Sequence, residues 1–91
     1  MPDIALFIYD AASQLARSRE ALRRHDHGAL RASLIALRDA SKAAGADRML
    51  TLVGNLRAHV DGDHSGLETM LDAIAEEFDL VTSELQTARS A

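Results

Sequence analysis

The chain has 91 residues and a formal charge of −4, enough for one small domain and a poor match to a nucleic-acid partner. It has no cysteine, which excludes a disulfide framework and a zinc–thiolate site. Its longest apolar run, IALFIY at 4–9, falls far short of the roughly 20 residues of a membrane span and has no basic stretch before it, so a cytoplasmic domain of 1–91 with no membrane segment is expected.

Hydrophobic residues make up 47% of the chain and aromatics only 3%. The apolar content is therefore mostly Ala and Leu, which favour helix. The single proline is Pro2, so nothing later in the chain breaks a long helix.

The spacing predicts a first helix over about 3–24. Ile4, Ile8, Ala11, Leu15 and Leu22 recur at helical intervals, Phe7 thickens the stripe, and Asp3 is placed as its N-cap. HDHG at 25–28 supplies a turn. A second helix over about 28–44 carries Leu30, Leu34, Leu37, Ser41 and Ala44 in one stripe, widened by Ser33 and Ala40. Gly45 follows where a left-handed C-cap belongs.

A third helix over about 47–60 has Asp47 as its expected N-cap. Leu50, Val53, Leu56 and Val60 face one way, with Met49 and Leu52 beside them. Gly54 in its middle costs about 1 kcal/mol relative to Ala, for which a close helix–helix approach is the usual reason. The fourth helix, over about 65–89, opens on a Ser65/Glu68 capping box. It carries Leu67, Met70, Leu71, Ile74, Phe78, Val81 and Leu85 and is about 37 Å long if continuous. The last residues, TARSA, are expected to fray. Short links between four amphipathic helices predict an all-α, antiparallel up-down-up-down four-helix bundle.

Charge is segregated along the chain. Arg17, Arg19, Arg23, Arg24, Arg31, Arg38 and Lys42 face only three acids between residues 17 and 42. From residue 64 onward, six acids face Arg89 alone. Two expectations follow: neighbouring helices that solvate one another, or a basic surface that docks an acidic partner.

The second helix contains I35-A-L37-R38-D39-A-S41-K-A-A-G45-A46. This resembles the H-x-L-K-G-S-S-x-x-x-G-A pattern of the histidine phosphotransfer (HPt) domains of bacterial two-component phosphorelays. Leu37, Ser41 and the Gly45-Ala46 pair agree, and Arg38 keeps the charge of the family lysine. FIYDAASQLARSREAL (7–22), HDHGAL (25–30) and LDAIAEEFDLVTSEL (71–85) are similar to the opening helix, first turn and last helix of such domains. The likeness thus spans nearly the whole chain in order, without the family's short extra N-terminal helix.

Two positions depart from the pattern. Ile35 stands at the phosphoacceptor position, and an aliphatic side chain offers no nucleophilic nitrogen. Asp39 replaces the glycine that in the family leaves room for the receiver domain, and its carboxylate would repel a phosphoryl group. At 100° per residue, Gly28, Arg31, Arg38, Asp39 and Lys42 fall within about 60° of Ile35, whereas Leu37 lies about 160° away. The resemblance implies a site that has lost phosphotransfer but keeps a protein-docking face of Arg31, Ile35, Arg38, Asp39 and Lys42. The partner it implies is a response-regulator receiver domain or a histidine kinase, possibly carried in the same polypeptide. On this reading the chain is not an enzyme and takes no cofactor.

Two alternatives belong to other classes: an active phosphotransfer protein with a displaced histidine, for which His27 is the best placed, and a purely structural or dimerising bundle. The sequence sets no oligomeric state. His25, His27, His59 and His64 are read as solvated turn or helix-end histidines, too sparse for a metal site. DGDHSGLETMLD (61–72) matches a calcium-binding EF-hand loop at Asp61, Asp63, Ser65 and Gly66 but ends in Asp72 instead of a bidentate Glu, a weak match.

Overall fold

The computed structural model describes residues 3–90, and the side chains of residues 3–88. Four helices account for nearly all of it: α1 (Ile4–Arg23), α2 (His27–Ala44), α3 (Asp47–Val60) and α4 (Leu67–Ser90). There is no strand among the described residues. Each helix packs on two others, α1 on α2, α2 on α3, α3 on α4 and α4 back on α1. That closed ring is the arrangement of a four-helix bundle.

All four helices contribute to one core. Leu30, Leu34, Leu37, Met49, Val53, Leu56, Leu71 and Ile74 are completely buried. Burying each such side chain contributes about 1.5–3 kcal/mol. On α2 the predicted stripe is the observed one: Leu30, Ser33, Leu34, Leu37 and Ser41 all face inward. Phe7 and Phe78 meet edge to face at 6.1 Å between α1 and α4.

On α1 the observed stripe is rotated from the predicted one. Phe7, Ala11, Ser18 and Ala21 are buried, while Ile8, Leu15 and Leu22 lie half-buried at its edge. Small residues occupy the centre because α1 lies close against α2. Ser18 Oγ and Ser33 Oγ are 2.6 Å apart across that contact, with the Gln14 carbonyl oxygen 2.8 Å from Ser18 Oγ and that of Leu30 2.9 Å from Ser33 Oγ. Each hydroxyl has one proton and accepts as well, so one serine donates to the other, which donates to the carbonyl of its own helix.

On α3 the inward stripe is Met49, Val53, Leu56 and Val60. Met49 is fully buried and Leu50 half-buried, which reverses the places expected for them. Gly54 is exposed, and a Cβ there would meet nothing within 4 Å. No close helix approach explains it.

The helix ends separate local signals that hold from those that do not. Asp3 caps α1 by accepting from the Leu6 amide, and Asp26 caps α2 by accepting from the Ala29 amide. Gly45 closes α2 in the left-handed region at φ 70°, which glycine adopts without the clash a Cβ would bring. Asp47, expected as the N-cap of α3, is instead its first residue. The cap is Ala46, which has no side-chain oxygen to accept a bond.

The predicted Ser65/Glu68 capping box does not form. Gly66, at φ 79°, provides the carbonyl that receives the first helical bond of α4, from the Met70 amide. The Ser65 amide donates instead to Asp63 Oδ1 at 2.9 Å. α4 thus starts two residues later than expected. Its helix continues to Ser90, through most of the TARSA segment expected to fray, of which Ala91 lies outside the described residues.

His25 ends α1 at φ 55°, with its amide donating to the Leu22 carbonyl and the next amide to that of Ala21. A left-handed conformation costs a residue with a Cβ about 1–2 kcal/mol. Glycine there relieves the clash but gives the unfolded chain more freedom. His25→Gly is therefore expected to stabilise the fold by about 0.5–1 kcal/mol, read from urea unfolding midpoints; an unchanged or lower midpoint would show that His25 makes a compensating contact.

Candidate functional site

The outward face of α2 collects the residues that the sequence singles out. Its direction is set by the Leu30, Leu34 and Leu37 stripe on the opposite side, which is fully buried. Ile35 is 39% exposed, one of the few large apolar side chains left in solvent. Arg31, Asp39 and Lys42 are exposed around it, and Arg38 is partly so. The expected grouping is thus present on one surface.

Its electrostatics differ from expectation. Arg31 Nη1 donates to Asp61 Oδ1 at 2.5 Å, a carboxylate from the residue just after α3. Arg38 donates through Nε and Nη2 to Asp39 Oδ1 at 3.2 and 3.1 Å. Two of the three cations are therefore matched by carboxylates, and only Lys42 has no ion-pair partner among the described residues. The strongly basic face expected from α2 alone is nearly balanced. Both pairs are exposed, where such bonds contribute about 0–1 kcal/mol, so an incoming partner can displace them at small cost.

Asp61 is the member of this surface that sequence reasoning missed. It lies 30 positions from Arg31, and no local spacing connects the two. The Ser18–Ser33 pair was missed for the same reason. Ser33 belongs to the inward stripe expected for α2, but nothing near it in sequence shows that a hydroxyl of α1 will meet it.

The histidines are not on this face. His27 sits in the first turn of α2, half-buried, with its ring edge-on to that of His64 at 4.2 Å between centroids. Two turns of helix separate it from Ile35, about 12 Å along the axis. His59 Nδ1 is 2.8 Å from the Asn55 carbonyl oxygen. Ile35 itself has no atom that can take or hold a phosphoryl group.

The calcium-like stretch is used otherwise. Asp61 is held by Arg31, and Asp63 holds the Ser65 amide. No group of three His, Cys, Asp or Glu is arranged to bind a metal among the described residues. The Ser65 backbone N–H, helped by the Ser65 side chain, keeps the Asp63 carboxyl below the usual carboxylate range. A group depressed in the folded state stabilises it above its unfolded pKa and loses that contribution as pH falls through the folded value. Asp63→Asn keeps the acceptor oxygen but cannot titrate. Its stability is expected to fall less steeply than wild type below about pH 4, measured by urea unfolding across that range; parallel curves would remove Asp63 from the acid response.

No helix among the described residues is long and apolar enough to cross a membrane. No family model matches the chain, no curated protein matches it, and no solved structure matches it.

Proposed function

We propose that the chain is a bundle of HPt type, antiparallel and up-down-up-down, that no longer carries phosphate. It serves as a cytoplasmic docking module for a response-regulator receiver domain or a histidine kinase, in a separate protein or in the same polypeptide. The observation that carries this reading is the position of Ile35. It stands exposed in the middle of the outward face of α2, ringed by Arg31, Arg38, Asp39 and Lys42, where the sequence resemblance puts the phosphoacceptor histidine.

Contacts between helices support the antiparallel course. Arg19, late in α1, meets Asp72, early in α4, while Phe7, early in α1, meets Phe78 further along α4. Arg48, at the start of α3, meets Glu77, ten residues into α4.

In this reading the partner's apolar surface covers Ile35, and the charged ring orients it. An apolar centre inside a polar rim is how docking surfaces concentrate their binding energy. Arg31 and Arg38 exchange Asp61 and Asp39 for carboxylates of the partner, and Lys42 offers a charge that is already free. Occupying a receiver without transferring phosphate sequesters or scaffolds it.

Two measurements test the proposal. Incubation with a phosphorylated receiver or an active kinase is expected to leave no acid-labile, base-stable label on the chain. Label that disappears in His27→Ala would establish the displaced-histidine alternative instead. Calorimetric titration with receiver and kinase domains is expected to find a binder, with Ile35→Asp weakening it by more than about 1 kcal/mol and Arg38→Glu mainly slowing association. Absence of any binder, or binding indifferent to both changes, would leave a purely structural bundle as the account.

A further inference from the structure

We propose that the chain pairs with a second copy of itself through the groove between α1 and α2, about a two-fold axis passing α1 between Ser13 and Gln14. This inference does not rest on the docking function proposed above.

The first argument is charge register. Asp3, Asp10, Arg17 and Arg24 follow one another along α1 at seven-residue intervals. A seven-residue step returns to within about 20° of the same direction on a helix, so the four form one row. Asp3 and Asp10 line one hollow of the groove, its acidic end, and Arg17 and Arg24 line a second, its basic end, where Glu20 is already paired with Arg23 and Asp26 caps α2. All four are exposed. Elsewhere on α1 and α2, Arg19, Arg23, Arg31 and Arg38 are held in ion pairs within the chain. Asp10, Arg17 and Arg24 are in none among the described residues.

A row that is acidic at one end and basic at the other complements itself when reversed. Antiparallel pairing of two α1 helices sets Asp10 against the partner's Arg17, and Asp3 against the partner's Arg24. Each contact then occurs twice by symmetry. A parallel pairing in register would set aspartate on aspartate and arginine on arginine.

The second argument is shape. The same reversal that matches the charges brings Leu6 over the partner's Ala21. Leu6 is 55% exposed at the acidic end of the groove. At the basic end the groove is lined by Ala21, Ala29, Ala32 and Ala36, whose short side chains leave a hollow for a leucine. A projecting apolar side chain thus meets a shallow apolar recess under the same symmetry. The contact is isologous, so it closes at two copies and does not propagate.

Sedimentation equilibrium of the full chain over micromolar to millimolar concentrations tests this. A reversible monomer–dimer equilibrium is expected, with no larger species and weaker association at high salt. Asp10→Arg and Arg17→Asp should each raise the dimer dissociation constant about tenfold or more, since each reversal turns two attractive contacts into repulsive ones. An equimolar mixture of the two variants should recover dimers of wild-type strength, because both symmetry-related contacts then pair opposite charges again. Leu6→Glu should weaken the dimer with no such rescue. Circular dichroism checks that each variant keeps its helices, as expected for exposed positions. A chain that is monomeric throughout, a dimer indifferent to both charge reversals, or a mixture that fails to recover would each overturn the proposal.

Discussion

Leu37→Ala is expected to lower the free energy of unfolding by about 2–5 kcal/mol, and Ile35→Ala by less than about 1 kcal/mol. Two residues apart on α2, these side chains live in opposite surroundings. Leu37 has no exposed surface, so removing its three terminal carbons loses their transfer free energy and leaves a cavity that neighbours refill only in part. Ile35 already meets solvent over 39% of its surface, so little is lost, and alanine has the better helix propensity. Urea or thermal unfolding of both variants makes the comparison. In a domain of this size, each kcal/mol shifts Tm by about 4–8 °C, so the two effects are well separated. The reverse order would mean that α2 is rotated and that Ile35 belongs to the core, which would also remove the proposed docking face.

Ser18→Leu is expected to destabilise the fold by about 1–3 kcal/mol or more through overpacking, although it replaces a polar residue in a core by an apolar one. Ser18 is fully buried and lies 2.6 Å from Ser33 across the α1–α2 contact. A leucine there has to push the two helices apart. It would also take away the hydroxyl that Ser33 faces. Ser18→Ala separates the two contributions. It leaves the spacing intact and leaves Ser33 bonded to the Leu30 carbonyl, so a loss of only about 1 kcal/mol is expected. The check is equilibrium unfolding of both variants. Equal losses would mean that the hydrogen bond, and not the close spacing, is what Ser18 contributes.

The paired charges on α2 bear on how a docking face of this kind would behave. With Arg31 on Asp61 and Arg38 on Asp39, the long-range field of the surface is weak, which limits electrostatic steering of a partner. The exposed apolar centre at Ile35 is unaffected by that pairing. Binding there would be set more by the lifetime of the complex than by the speed of encounter.

The amino-acid sequence by itself determined the helices and much of the core. Leucines at three- and four-residue spacing on α2, the Asp3 cap and the left-handed Gly45 are local signals, because a helix repeats every 3.6 residues and its ends need specific donors and acceptors. The outward position of Ile35 follows from the same periodicity. Tertiary structure decided the remainder. Burial on α1 depends on which side α2 approaches, so Phe7 and Ala11 kept their expected inward places while the rest of the stripe passed from Leu15 and Leu22 to Ser18 and Ala21. Met49 and Leu50 exchanged places on α3 because both are apolar neighbours, and only contact with the other helices distinguishes them. The Ser65/Glu68 box gave way to an Asp63 bond with the Ser65 amide, since two local solutions competed for one loop. The charge of the α2 face was settled by Asp61, which is remote in sequence and reaches Arg31 only once α2 and α3 have packed. Periodicity gives each helix its inward direction, but a charge or hydroxyl finds its partner only when another helix supplies it.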